Sequence, residues 1–231
     1  MPRIHFQQQL VALKDKLLAM AALSQQALEF SVEAYVNRDE GLSIHVKEIE
    51  KAINAAETSV DEMAYELLAK EQPMAIDLRF ILSVIKINGD LERIGDQATN
   101  IASRAIDAST RPEESTVVCR PVDIQSMGDK AGVMIRRAIQ ALIEGDSKLA
   151  ESVLEMDNEI DEMNRVIQRE LVDCMTDQTL SAEQALNAII ISRNLERAAD
   201  HAKNIAEDVI FWVRGNDVRH KFSMLQGPVE D

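Results

Sequence analysis

Proline, glycine, aromatic residues and cysteine are all scarce in this chain. Its 231 residues include 5 Pro, 8 Gly, 2 Cys and one Trp, and aromatics make up 3%. So few glycines and prolines cannot supply the tight turns of a many-stranded sheet, which excludes an all-β architecture. The two cysteines, Cys119 and Cys174, lack C-x-x-C spacing. Neither a disulfide framework nor a thiolate zinc site is expected, and a reducing compartment fits. No window reaches the roughly 18 uninterrupted apolar residues of a bilayer span. The opening segment MPRIHFQQQLVALKDKLLAM is broken by Lys14, Asp15 and Lys16, so it does not read as a signal peptide. Positive charge is also short, with 25 basic against 40 acidic residues and a net charge of −15. That balance repels phosphate backbones and anionic lipid, so no nucleic acid is expected as a partner. It suits cations, or basic patches on another protein.

What the chain does have is Ala, Leu, Ile, Glu and Met, residues that lose little side-chain freedom in a helix. Apolar positions step by three and four through Leu10, Leu13, Leu17 and Met20, through Val46, Ile49, Ile53, Val60 and Leu67, and through Phe80, Val84, Ile87, Leu91, Ile94 and Ala98. Each run predicts one apolar stripe on a helix. NRDEG (Asn37 to Gly41) and KEQPMAID (Lys70 to Asp77) separate the three. The pattern then restarts. Met127 and Met134 match Met20 and Ala27, and Val153, Ile160 and Ile167 match Val46, Ile53 and Val60, all at a constant offset of 107 residues in the sequence. The third helix returns at an offset of 104, so LERIGDQATNIA (Leu91 to Ala102) becomes LERAADHAKNIA (Leu195 to Ala206) with eight of twelve positions identical. The expected fold is all-α, with six long helices in two pseudo-symmetric three-helix bundles. The expected boundaries are a first repeat over 1–109, a linker over 110–121 with two prolines, a second repeat over 122–214, and a frayed tail over 215–231.

The repeated segment carries the same carboxylate pair twice, Glu92 with Asp96 and Glu196 with Asp200. Taking Leu91 and Ile94 as seam positions, these acids fall on the outward face. Asn88, Glu92, Asp96 and Asn100 form one stripe at steps of four, and Ser192, Glu196, Asp200 and Asn204 form its copy. Like charges at i and i+4 repel by a few tenths of a kcal/mol, a cost that a bound cation would offset. The neighbouring helix adds Glu50, Asn54, Glu57 and Asp61 in the first half and Asp157, Asp161, Asn164 and Gln168 in the second. The first two positions of each set, Glu50 and Asn54 with Asp157 and Asp161, bear oxygen in both halves and are the candidates there. Such a set offers hard oxygen ligands for magnesium, calcium or manganese, and also for iron or zinc. The competing reading is ordinary solvated helix surface in an acidic chain, with Arg93 and Arg197 as local partners. Duplication of the pair favours the ligand reading.

DLERIGDQATNIA (Asp90 to Ala102), IDLR (Ile76 to Arg79) and RNLERAADHAKNIAEDVIFWVRG (Arg193 to Gly215) resemble the PhoU family of phosphate-uptake regulators, over roughly residues 5–215. The resemblance implies two pseudo-symmetric three-helix bundles, each with an E(D)-x-x-x-D motif that holds a metal ion or multinuclear cluster. It carries Glu92 and Asp96 as the first motif, Glu196 and Asp200 as the second, with Glu50, Asn54, Asp157 and Asp161 beside them. It implies a cytoplasmic negative regulator of the phosphate-starvation response. Its expected partners are a phosphate ABC transporter ATPase and a sensor histidine kinase, so the chain is peripheral to membrane complexes. A homodimer stays open. The second motif has Ala198-Ala199 where the first has Ile94-Gly95, and SAE (Ser181 to Glu183) stands where the first half has DLR.

Other constellations are weaker. His5, His45, His201 and His220 form no pair at ligand spacing, and His201 reads as surface. No G-x-x-x-x-G-K, G-x-S-x-G or H-E-x-x-H occurs, so an enzyme is not expected. A ferritin-like di-iron protein needs Glu-x-x-His facing a bundle interior, and no His has a Glu three residues before it. A metal-free acidic adaptor that docks a basic partner remains the rival.

Overall fold

The computed structural model describes residues 2–109, 123–216 and 218. Among the described residues the chain forms six helices and no strand: α1 (Pro2–Asn37), α2 (Glu40–Glu71), α3 (Ile76–Ser109), α4 (Ile124–Glu144), α5 (Ser147–Thr176) and α6 (Ala182–Arg214). The expected linker over 110–121, and all but residues 215, 216 and 218 of the expected tail, lie outside the described residues.

The breaks are made by caps at the positions the sequence marks. Asp39 turns out of the helical region and accepts the Leu42 amide proton, starting α2. Asp146, its counterpart 107 residues on in the sequence, accepts from Lys148 and Leu149 and starts α5. Each carboxylate satisfies orphan amides at a helix start, where negative charge is also favoured by the helix dipole. Ser181 and Gln184 form a reciprocal capping box at α6. Gly145 (φ 64°) and Gly215 (φ 72°) end α4 and α6 in the left-handed conformation, where the missing Cβ avoids strain.

Within each half the three helices pack on one another, and the halves join along two seams, α3 on α6 and α1 on α4. Both seams run antiparallel. Ser83 donates to the Asp208 carbonyl at 3.0 Å while Asp90 meets His201. Arg136 reaches Glu29 at 2.8 Å while Lys14 donates to the Ile143 carbonyl at 2.7 Å. The predicted seam residues Leu13, Leu17, Met20, Ile53, Ile87, Leu91, Ile94, Met127, Met134, Leu195 and Ile205 are all fully buried. Burying such side chains stabilises by about 1.5–3 kcal/mol each, so the heptad-like pattern carries most of the fold. Glycine permits close approach where α4 meets α1: a Cβ on Gly128 would come within 2.8 Å of Val32.

Cys174 is engaged in a disulfide, a single bridge rather than the framework that the low cysteine count argues against. Cysteine number and spacing rule out a dense framework but carry no signal about a single bridge. Cys119, the other cysteine, lies outside the described residues.

Candidate functional site

The first acidic group forms where α3 lies close on α2. Gly95, inside the repeated segment, makes that approach possible, since a Cβ there would meet Ile53 Cδ1 at 2.8 Å. Leu91, Ile94 and Ala98 face the core and fix the rotation of α3. That rotation leaves Glu92 and Asp96 half-buried along the groove. Burial raises the Glu92 carboxyl above its ordinary value, and Asp96 raises it further; Arg93 opposes this, and Glu57 and Glu50 on α2 add to it. Glu50 and Glu57 are therefore close enough to be felt by Glu92. Arg93 lies 3.5 Å from Glu92 and 3.8 Å from Asp96, but it is mostly exposed. Asn54 donates to Glu50 at 2.8 Å.

In the second half Ala199 takes the place of Gly95 and is fully buried. Burial raises the carboxyls of Asp161, Glu196 and Asp200. Asp157 raises both Asp161 and Asp200, while Asp200 and Asp161 raise Glu196. The four candidates of this half therefore share one electrostatic environment. Lys203 stands among them: its ammonium donates directly to Asp157, itself only 5% exposed. Lys203 lowers both Asp161 and Asp200 in turn.

The expected outward stripe is only partly outward. Asn88 and Ser192, its first members, are fully buried, and Asn88 donates to the Glu57 carbonyl at 3.0 Å and to Asp61 at 2.9 Å. A step of four advances about 40° beyond a full turn at 3.6 residues per turn. The stripe thus begins inside the bundle and winds out to exposed Asn100 and Asn204. Asp157 is buried rather than surface-lining for the related reason that α6 covers it. His201 is likewise not open surface, since it meets Asp90 across the α3–α6 seam.

The donor chemistry of both groups is hard oxygen. Among the described residues, however, no three His, Cys, Asp or Glu side chains converge closely enough to hold a metal ion as they stand. The second group already contains an ammonium. Spacing points to Glu92, Asp96, Glu196 and Asp200 but misses Lys203. The available signal is the Thr99-to-Lys203 mismatch inside the repeated segment.

Two stretches, 17–105 and 124–209, match the PhoU domain. A Pseudomonas putida protein named phosphate-specific transport system accessory protein PhoU homolog is 41% identical over 93% of this chain and 83% of its own. The Escherichia coli K12 accessory protein PhoU is 28% identical over 93% of this chain and 88% of its own. Among solved structures, PhoU from Pseudomonas aeruginosa superposes with a TM-score of 0.86 at 38% identity, covering 91% of this chain and 100% of that one. The phosphate transport system regulatory protein PhoU from Streptococcus pneumoniae gives a TM-score of 0.84 at 25% identity, covering 92% and 99%.

Proposed function

The chain belongs to the PhoU family, and from that membership we propose that it acts as a cytoplasmic adaptor restraining phosphate uptake, between a phosphate ABC transporter ATPase and a sensor histidine kinase. Its relatives are named accessory proteins of phosphate-specific transport systems. Among the described residues no helix is long and apolar enough to cross a membrane, which fits attachment from outside the bilayer. The role is one of binding and carries no catalytic step. The observation that supports it best is the pairing, in both domain copies, of an E-x-x-x-D segment with an acidic flank on the adjacent helix.

Metal binding belongs to this reading as a regulatory element. Glu92, Asp96, Glu50 and Asn54 are the residues of the first half that would hold a cation. A bound ion would relieve the mutual repulsion of these carboxylates and set the spacing of α2 against α3. The metal-free alternative is favoured by one observation, the lack of three converging ligands among the described residues. In that case the acidic faces would steer the chain to basic partner surfaces, with binding that weakens as salt rises.

Expression in a bacterium lacking its own PhoU tests the role. The chain should restore repression of phosphate uptake in high phosphate. Uptake that stays derepressed, with the chain present at normal levels, would reject it.

A further inference from the structure

The two carboxylate groups occupy matching places in the repeat, yet they differ in the counter-charge the chain itself provides. In the second half Lys203 bonds the buried Asp157, and the carboxylates of Asp157, Asp200 and Glu207 all act on its ammonium. Lys203 lies three residues after Asp200 and four before Glu207 in the sequence, so one helix face presents it to the same group. In the first half the matching residue is Thr99, whose hydroxyl oxygen is buried with no hydrogen-bond partner. The only side chain bridging the acids there, among the described ion pairs, is Arg93, which is 62% exposed at its long contacts to Glu92 and Asp96.

From this difference we infer that Lys203 is the resident cation of the second group, so that this half does not take a metal ion and any metal the protein carries sits in the first half. The reason is electrostatic and steric. An ammonium already bonded to Asp157 repels a second cation and occupies one of its ligands, whereas the Arg93 guanidinium of the first half stands mostly in solvent, where its charge is screened. The inference rests on the metal-binding part of the function proposed above, and its test separates the two.

The full chain, stripped with a chelator, is titrated with Mn²⁺ alone, and bound metal is counted by electron paramagnetic resonance and elemental analysis. Glu92→Gln with Asp96→Asn should abolish binding, whereas Glu196→Gln with Asp200→Asn should leave the bound equivalents unchanged. Lys203→Thr, which copies the first half, should add bound Mn²⁺, and Lys203→Arg should not. Loss of Mn²⁺ on changing Glu196 and Asp200 would overturn the inference. If the parent chain binds no Mn²⁺, the metal reading of the first half fails by itself. The role of Lys203 is then decided by Lys203→Thr: new Mn²⁺ binding or a lowered melting midpoint supports it, and a variant with neither change refutes it.

Discussion

His201 Nδ1 lies 2.8 Å from Asp90 Oδ1, across the antiparallel seam where α3 meets α6. Asn204 donates to the same carboxylate oxygen at 3.2 Å. Asp90 thus ties two consecutive turns of α6 to the opposite half of the chain. Replacing Asp90 with Ala should cost about 1–3 kcal/mol, because partly buried donors lose their acceptor. A double-mutant cycle with His201→Ala, read by chemical denaturation, should show coupling of at least about 0.5 kcal/mol. Strict additivity would mean that this contact does not join the halves.

Gly128 marks the other seam. A side-chain methyl there would lie 2.8 Å and 2.9 Å from the two methyls of Val32. Valine is stiff about χ1, so rotation does not clear the space. Gly128→Ala should therefore destabilise by about 1–3 kcal/mol, in spite of alanine's better helix propensity. Val32→Ala in the same chain should recover part of that loss. A stable Gly128→Ala protein would show that α1 and α4 stand farther apart.

The pH dependence follows from the sign of the carboxyl shifts. Glu92, Asp161, Glu196 and Asp200 are all raised on folding, first by burial and then by neighbouring acids. A raised group contributes stability that is complete below its unfolded pKa, about 4 for carboxylates, and that is lost as pH rises through the folded value. At neutral pH these groups therefore weaken the metal-free fold. Glu92→Gln with Glu196→Gln should melt higher than the parent at pH 7, by a few tenths of a kcal/mol per site, the size of a like-charge helix pair. The advantage should shrink as the solution is acidified toward pH 4. Parallel melting curves for parent and variant across that range would contradict the assignment.

The turn between α2 and α3 carries backbone strain. Gln72 and Ala75 both adopt φ of 47° without being glycine. The left-handed region costs a residue with a Cβ about 1–2 kcal/mol. Ala75→Gly should accordingly raise stability by about 0.5–1 kcal/mol, measured by thermal or urea unfolding. A decrease would indicate that the cost is already offset in the unfolded chain.

Six helices, their breaks and the duplicated layout are legible in the sequence because heptad-like spacing and capping residues are local signals. Asp39, Asp146, Ser181 and Gly215 act at the breaks that the spacing marks. The candidate site is legible only as residue types on a face. Asn88 and Asp157 read as surface and prove buried, because a step of four drifts around the helix and because the covering helix is distant in sequence. His201 reads as surface for the same reason, since its partner Asp90 lies 111 residues earlier. Lys203 is hidden in a comparison of what the two copies share, because it stands at a position where they differ in charge.

An ammonium on a covalent arm cannot be dialysed away, captured by a chelator or depleted by scarcity. Whatever order Lys203 lends to the second half through Asp157 is thus permanent. The first half has no such guarantee at Thr99, and on the metal reading proposed above its shape would follow the ions around it. On that reading the two copies of the three-helix unit make one fixed arm and one adjustable arm.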